Sequence, residues 1–559
     1  TVQGTARKLG YFETVAGGVD YEKEYYRQVE EMTASHLRAS LEKYLTASNL
    51  TVAVLSPEPT SGVNAVSDAK LEELRQRLLS ATREEELASA ERFAKKGALP
   101  GEDQVVRRIL PGGMKILVKR DASVPVVAMR AVWVGGLRYE DARVNGVNHM
   151  LASLITRGTA TRSAEEIMRD VEGMAGAIGG FSGRNSFGAR VEMLAKNWER
   201  GLEILADCLL NPEFPEDELD KERRIVLDEL SAQSDNLSTM AFRLFAETMY
   251  KKHPYRFDLL GTPSSMAGMT RRTLKDFYSR NYPLGGMTLA IVGDVDPARA
   301  IEKAAGLFGA EQPSREPPPV AKEDLWARPK GTVEVYKFLQ RQQAHMVVGF
   351  PGTTLDNPNR HALEVVSTLL SGQGGRLFVE LRDKKGLAYR VNAFSLEGID
   401  PGYFAVYIAC SPEKLPVALD GIREELRKIA EEPINPAELD RAKKYLVGSH
   451  EISLQRRAAV ASTLAFHEAY GMGYDEYLRY SAKILAIDAA AVQRVAREYL
   501  DWQRAVIATV KPEELTPGAR QRAEGPSGSS KSVPKDPAAK ASRRGPSPGK
   551  RPFVPPKRK

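Results

Sequence analysis

Hydrophobic and polar positions along this 559-residue chain follow two different periods. Short apolar runs rich in β-branched residues predict strands at 114–118, 124–134, 332–336 and 345–350. Longer stretches, with apolar residues every three or four positions, follow each pair of strands and predict helices. Because strands are grouped before helices, the pattern predicts α+β layers, with an antiparallel-rich sheet covered by helices on one face.

One helix-then-strand pattern occurs three times. A capping residue, Thr33, Thr270 or Asp488, precedes a helical run, and an apolar strand begins 18 residues later, at 51, 288 and 506. A second marker, Glu-Leu-Asp, occurs at 218–220 and again at 438–440, a spacing of 220 residues. A repeat of that size is a domain, so the pattern predicts a duplicated unit of about 200 residues and not a solenoid.

The repeat divides the chain into six segments. Residues 1–57 contain only the last helix and strand of a unit, and we interpret them as the C-terminal remnant of a preceding domain. Residues 58–103 are predicted to be a helical linker, and 104–312 and 331–515 to be two complete units. The Pro-rich segment 313–330 joins these units, and 516–559 is predicted to be a disordered basic tail.

Composition sets further limits. With 42% apolar and 27% charged residues, the chain is neither fibrous nor wholly disordered. The net charge of +7 separates into a tail of +10 and a remainder of −3, so the basic balance belongs to the tail. With one aromatic, Phe553, the tail lacks a stacking surface, and we expect no specific nucleic-acid binding. Two cysteines are too few for a disulfide framework, and no apolar run is long enough to span a membrane.

The segment 146–159 has the pattern of an amphipathic helix. Its apolar stripe is formed by Val147, Met150, Leu151, Leu154 and Ile155. His149 and Ser153, four residues apart, are predicted to lie on the opposite face, with Ala152 beside them.

A second predicted helix, at 219–230, holds two carboxylates seven residues apart. In projection Glu222 and Glu229 lie beside Ile225 and Val226, towards the apolar side. Such carboxylates either extend outward from the edge of the buried stripe or face a polar cavity, because an unpaired buried charge is costly.

Several segments together resemble the M16 zinc peptidases, the class that includes insulin-degrading enzyme and mitochondrial processing peptidase. They are Gly135-Gly-Leu-Arg-Tyr-Glu140, Gly146-Val-Asn-His149 and Arg157-Gly-Thr159, followed by 222–230 and His253-Pro-Tyr255. The family has an inverted H-x-x-E-H motif and a downstream Glu that completes the zinc ligands. The resemblance implies two units of the α+β fold that this family shares with LuxS-like proteins.

The resemblance also implies a role for each motif position. His149 matches the first zinc-binding His, Glu229 the third ligand, and Glu222 a supporting carboxylate. However, Ala152 stands at the general-base position and Ser153 at the second His position. A peptidase zinc needs three protein ligands and a base, so we expect this site to be vestigial and the chain alone to be inactive.

The remaining histidines do not form a replacement motif. His361 is followed by Glu364 but then by Val365, where a second His is needed, and His450 and His467 lack a helical His partner. We therefore expect no second metal site. The glycine-rich segment 176–183 lacks the Lys-Ser/Thr of a phosphate loop, and we interpret it as a turn.

The segment 374–389 resembles another M16 signature, an Arg and a Tyr seven residues apart. These residues are Arg382 and Tyr389. In fused M16 enzymes the pair reaches from the C-terminal half towards substrate, where a guanidinium can bind a peptide carbonyl and a phenol can donate to an oxyanion. Without the resemblance, a solvated Arg and a packed Tyr would be the simpler interpretation.

The sequence therefore predicts the C-terminal, non-catalytic half of a fused M16-type peptidase. Its expected partners are a peptide substrate and an N-terminal catalytic half or partner subunit, and zinc is expected there and not in this chain. The alternative is a catalytically inactive M16-fold scaffold or binding subunit. An extracytoplasmic bacterial setting is implied by the resemblance alone.

Overall fold

The computed structural model describes residues 2–46, 49, 104–309, 331–339 and 341–512. The strand predicted at 51, the linker 58–103, the Pro-rich segment 313–330 and the tail 516–559 lie outside these residues. Within them, no helix combines the length and apolar character that a membrane span requires.

Three helices form the described N-terminal segment: α1 (Val2–Thr14), α2 (Tyr21–Glu30) and α3 (Ala34–Tyr44). Thr33 is the N-cap of α3, and its side chain accepts a hydrogen bond from the His36 amide, as the cap pattern predicted. Phe12 is buried, but most of the other large apolar side chains of this segment are exposed.

The first sheet has six strands: β1 (Val105–Ile109), β2 (Lys115–Arg120), β3 (Val126–Val134), β4 (Ala177–Ser182), β5 (Ser186–Leu194) and β6 (Thr288–Gly293). Their order is β1-β2-β6-β3-β5-β4, and all neighbours are antiparallel except β2 and β6. Eight helices accompany it: α4 (Val147–Leu154), α5 (Ala164–Gly173), α6 (Trp198–Leu210), α7 (Glu216–Asp235), α8 (Leu237–Met249), α9 (Pro263–Ala267), α10 (Arg271–Asn281) and α11 (Pro297–Phe308).

The second sheet has five strands: β7 (Val333–Phe338), β8 (Ala344–Pro351), β9 (Ala388–Leu396), β10 (Tyr403–Cys410) and β11 (Val506–Lys511). Their order is β7-β11-β8-β10-β9, and only β7 and β11 are parallel. Its helices are α12 (Asn359–Leu370), α13 (Leu415–Glu431), α14 (Pro436–Ser453), α15 (Arg457–Ala469), α16 (Glu476–Leu485) and α17 (Ala489–Tyr499), with a π-helical turn at Phe378–Lys384.

The two sheets have the same strand order once β1 is set aside. In each, the last strand of the unit lies between the first two long strands, and the preceding helix is capped by the predicted residue, Thr270 or Asp488. The predicted α+β class, with antiparallel-rich sheets and helices, is confirmed.

Each sheet also receives a helix from the other half of the chain. Helix α15 packs on β3 and β6, where Ala461 and Leu464 contact Ala128 and Val132. Helix α8 packs in the same way on β8 and β11. Both faces of β3 are therefore covered, which explains its nearly continuous apolar sequence.

A charged cluster fastens the loop between β9 and β10 to the first half of the chain. The carboxylate of Asp400 accepts hydrogen bonds from the Arg138 guanidinium, with Nη2 at 3.0 Å, and lies 3.1 Å from His253 Nε2. His253 is fully buried, and its Nδ1 accepts the Tyr255 amide. The His-Pro-Tyr signature thus holds the two halves together.

The prediction of a turn at 176–183 is wrong, because Ala177–Ser182 is strand β4, paired along its length with β5. The glycines have a packing role. A Cβ atom on Gly180 would lie 2.1 Å from the carbonyl oxygen of Ala152, so the backbone of α4 lies directly on this strand. Because glycine has no side chain, the alternation of apolar and polar residues that identifies a strand is missing from this segment.

Candidate functional site

Helix α4 carries the predicted motif residues His149, Ala152 and Ser153, and burial fixes its orientation. The predicted apolar stripe of Val147, Met150, Leu151 and Leu154 is buried against the core. The His149 side chain points away from this stripe and keeps 25% of its surface exposed. The helix therefore directs the His149 side chain away from the core, as the helical pattern predicted.

A buried carboxylate holds the start of this helix. Gly146 is the N-cap and has a positive φ of 88°, so it offers no side chain to the first turn. Instead Glu140 accepts hydrogen bonds from the backbone amides of Gly146 and Asn148, at 2.7 and 3.0 Å, and from the side-chain amides of Asn145 and Asn148. Burial raises the pKa of Glu140, while these hydrogen bonds oppose the shift.

The two carboxylates of α7 lie in different surroundings. Glu222 approaches His149, with 4.0 Å between Glu222 Oε1 and His149 Nε2, and 16% of its side chain is exposed. Glu229 is exposed, on the wall of the cavity that His149 also lines. Ile225, predicted towards the apolar side, is 50% exposed, because the buried stripe follows Leu219, Val226 and Leu230.

The donor set on α4 does not fit a catalytic zinc ion. Ala152 is buried beneath β4 and has no acid or base, and Ser153 offers a hydroxyl where an imidazole is needed. His149 and Glu222 together supply one imidazole and one carboxylate, which is fewer than the three ligands that a catalytic zinc ion needs. Within the described ranges, no three His, Cys, Asp or Glu side chains are grouped so that they could hold a metal ion.

Three other histidines, which were not expected to form a metal site, lie between helices of the second half of the chain. They are His361, His450 and His467. His361 is buried, His467 is half-buried, and the Nδ1 atom of each has no hydrogen-bond partner. Burial lowers the pKa of both imidazoles to about 4. His450 Nε2 lies 3.1 Å from the carbonyl oxygen of Tyr477, so it contacts backbone.

Beside His149 lies a cavity of about 570 Å³. Its walls come from the end of β4, from α7 and α8, and from the loop at 256–260. Apolar side chains, including Phe242 and Phe257, alternate with polar ones, including Arg184 and Glu229. A concave site with a few converging polar groups is typical of ligand binding.

Arg382 and Tyr389 are brought together by the π-helical turn and the first residues of β9. The Arg382 guanidinium lies 5.1 Å from the centroid of the Tyr389 ring and 4.4 Å from that of Phe378. Tyr389 is 84% exposed, and β9 is the edge strand of its sheet. The Tyr389 ring is thus open to solvent, whereas Arg382 is half-buried.

Comparison with protein families decides the assignment. A family model described as insulinase (peptidase family M16) matches residues 115–263, and one described as the peptidase M16 inactive domain matches residues 268–446. This chain belongs to peptidase family M16. The resemblance in the motifs around His149 is thereby confirmed.

The M16 assignment extends to curated relatives. An uncharacterized zinc protease of Streptomyces coelicolor is 29% identical over 409 residues, which covers 72% of this chain and 88% of that protein. An uncharacterized zinc protease of Bacillus subtilis, YmxG, is 27% identical over 357 residues, covering 63% of this chain and 85% of the relative.

Two solved structures share the M16 fold. A protease from Helicobacter pylori superposes with a TM-score of 0.68 at 22% identity, covering 73% of this chain and all of that one. A peptidase M16 inactive domain from Pseudomonas fluorescens gives 0.66 at 23% identity, covering 73% and 98%. At this identity the likeness establishes the fold alone.

Sequence reasoning missed two features of this M16 site. Arg184, on the turn between β4 and β5, lines the cavity but follows a glycine-rich segment that was interpreted only as a turn. Glu140 was noted as part of a motif, without its function of capping α4. The signal for Glu140 was a carboxylate shortly before a helix that lacks a capping side chain.

Proposed function

We propose that this chain is the non-catalytic half of an M16-type zinc metalloendopeptidase, and that the hydrolytic site lies in another half or a partner subunit. The observation that carries the proposal is the combination of two sites. The motif helix keeps its fold but has Ala152 and Ser153 in place of the base and a ligand, whereas Arg382 is half-buried against the exposed Tyr389.

Hydrolysis by this chain alone is disfavoured by the chemistry on α4. A peptidase must activate water and remove its proton, for which a positioned carboxylate or imidazole is needed. Ala152 supplies neither. Glu222 lies 4.0 Å from His149, where it pairs with the imidazole and does not replace the missing ligand.

Peptide binding is supported by the open edges of both sheets. Among the described strands, β4 and β9 each end a sheet, so their outer backbone groups pair with no described strand on that side. An extended peptide can add to such an edge through main-chain hydrogen bonds. Edge β4 lies beside the cavity of His149, and edge β9 carries Tyr389.

The Arg-Tyr pair has the donors that substrate contact requires. Among the described residues, neither the Arg382 guanidinium nor the Tyr389 hydroxyl makes a hydrogen bond, and stacking on Phe378 limits the positions open to the guanidinium. A preorganised guanidinium can bind a peptide carbonyl, and a phenol can donate to an oxygen that gains negative charge. We assign this pair to substrate contact.

The need for a partner is supported by the N-terminal helices. Twelve large apolar side chains of α1–α3 and the residues between and after them are exposed, including Tyr25, Tyr26 and Val29. An apolar surface of this extent normally packs against protein. We infer that these helices complete a preceding M16-like unit, which is part of the catalytic half.

Domain duplication is part of the same proposal. The shared strand order of the two sheets, and the recurrence of α7 and α8 as α14 and α15 after 220 residues, support it. A chain with two such units has the size of one half of a fused M16 enzyme, which encloses its peptide between halves.

The test is peptide cleavage by the catalytic half, with this chain supplied in wild-type or variant form. Arg382→Ala and Tyr389→Phe are each expected to lower kcat/KM about tenfold or more, since each removes a hydrogen bond to a group that gains charge. Tyr336→Phe, on the opposite edge strand of the same sheet, is the matched control and is expected to change nothing.

The alternative function is a scaffold that keeps the M16 fold without contacting substrate. It predicts that Arg382→Ala and Tyr389→Phe leave kcat/KM equal to that of Tyr336→Phe, while omission of the whole chain abolishes activity. That result would refute the assisting role.

A further inference from the structure

The guanidinium of Arg184 is held between the two halves of the chain. Its Cζ lies 5.7 Å from the ring centroid of Tyr255, in the first half, and 5.4 Å from that of Tyr403, in the second. Two aromatic contacts fix the position of a cation without using its N–H donors. Arg184 is thus preorganised for a further partner.

That partner is missing among the described residues. The Arg184 guanidinium makes no hydrogen bond or ion pair there, and its Nη1 is buried without an acceptor. A guanidinium carries five donors and keeps its charge, so burying part of it without an acceptor is costly. The other two nitrogens, Nε and Nη2, are not enclosed in this way, so an anionic group in the cavity can accept hydrogen bonds from both and neutralise the charge.

Three other charged side chains of the cavity wall already have hydrogen-bond partners. Arg243 Nε donates to Glu247 at 3.1 Å, and Arg256 donates to the backbone of Lys251. Asp258 accepts the Leu260 amide at 2.9 Å. Among the arginines that line this cavity, Arg184 is the one whose guanidinium makes no hydrogen bond to a described residue, and neither Glu229 nor another acidic side chain of the described part forms an ion pair with it.

The location fits the carboxylate of a peptide. Strand β4 ends at Ser182, and both Ser182 and Arg184 line the cavity beside His149. A peptide that extends the sheet at the β4 edge runs past this point, within reach of the guanidinium. Phe242 and Phe257 provide apolar walls that strengthen an ion pair by excluding water.

We propose that the cavity beside the vestigial metal motif is a carboxylate-binding subsite, in which Arg184 forms a bidentate ion pair with a peptide. The proposal rests on the proposed function, since the ligand is a peptide bound by this chain. The carboxylate is either the C-terminus of the peptide or an acidic side chain, and the two sources are separable by experiment.

The experiment measures peptide affinity by fluorescence anisotropy, using the full chain. One fluorescent extended peptide is compared in four forms: with a free or an amidated C-terminus, and with an internal Glu or Gln. The wild type is expected to bind the carboxylate form of one pair about ten to a hundred times more tightly, as a charge-assisted hydrogen bond provides. The pair that differs identifies the source of the carboxylate.

Arg184→Gln is expected to abolish this preference and to leave the affinity for the amidated Gln peptide unchanged. Arg184→Lys keeps the charge but not the forked geometry, so it retains part of the preference. Because the ratio is taken within each variant, incomplete folding of one variant does not alter it. Arg200→Gln, on the exposed side of α6, is the control and should keep the full preference.

Two results would overturn the proposal in different ways. A carboxylate preference that persists in Arg184→Gln must come from charge elsewhere, such as the basic tail, and equal binding of all four peptides excludes a carboxylate subsite. In both of these cases the peptides still bind, so the proposed function stands. Failure of the wild type to bind any of the peptides would instead refute the proposed function, and this subsite with it.

Discussion

Replacement of Asp400 by Asn tests the ionic contact between the two halves of the chain. Asp400 pairs with Arg138, and the two side chains are 15% and 10% exposed. The carboxylate also lies 3.1 Å from the fully buried His253. Asn preserves the shape but removes the charge, so Arg138 would be left in a half-closed site without its counter-ion.

The magnitude follows from the pKa of Asp400. Burial alone would raise it, but hydrogen bonds from His253 and Arg138 hold the pKa at about 2, against an ordinary value of 3.8. At about 1.4 kcal/mol per pKa unit, this difference corresponds to roughly 2 kcal/mol of stability at neutral pH. Loss of the charge is therefore expected to lower the free energy of unfolding by about 2–3 kcal/mol.

The pH dependence has a definite sign. A carboxylate whose pKa is lowered by folding stabilises the fold above its unfolded pKa, and this contribution is lost as the pH falls towards the folded pKa. For Asp400 about 1 kcal/mol should be lost between pH 5 and pH 3. The variant lacks this carboxyl, so the difference between wild type and variant should narrow over that range.

The assay is urea unfolding followed by circular dichroism at several pH values. Asp440→Asn is the matched control, because Asp440 is exposed and its ion pair in the described part of the chain is with Lys444 on the same helix. It should cost less than about 0.5 kcal/mol. The reasoning is refuted if Asp400→Asn costs no more than Asp440→Asn, or if its difference from wild type is constant with pH.

Two further predictions concern packing and buried histidines. Gly180→Ala should strongly destabilise the fold, by about 2 kcal/mol or more in thermal or urea unfolding, because its Cβ would lie 2.1 Å from the Ala152 carbonyl oxygen. The neighbouring Gly179→Ala has open space and should be nearly neutral, and equal effects would contradict this packing. Because the pKa values of His361 and His467 are lowered to about 4, stability should fall as the pH drops from 6.5 towards 4. His361→Leu should make the free energy of unfolding, measured in urea, depend less steeply on pH over this range. An unchanged pH dependence would contradict a buried, neutral imidazole at this position.

Much of the fold could be predicted because periodicity reports burial directly. The apolar stripe on α4 and the continuous apolar run of β3 are set by which side chains are buried, and both agree with the structure. The glycine-rich strand could not be recognised in this way. Its pattern is set by the backbone of α4 packed against Gly180, a contact between segments about 30 residues apart.

The site was predictable where chemistry depends on local spacing. The motif positions from His149 to Ser153 are close together on one helix, so the sequence alone reveals Ala152 and Ser153 where a base and a second His are expected. Arg184 and Asp400 act through partners far away in the chain, Tyr403 for one and Arg138 for the other. No local pattern indicates such pairs, because the packing of the two halves creates them.

The central claim, that this chain binds peptide but does not hydrolyse it alone, can be tested in one measurement. The purified chain is incubated with added zinc and an internally quenched, fluorescent peptide, and binding and cleavage are recorded together. The account predicts saturable binding with no cleavage above the rate without protein. Cleavage that a chelator inhibits and that His149→Ala abolishes would contradict it.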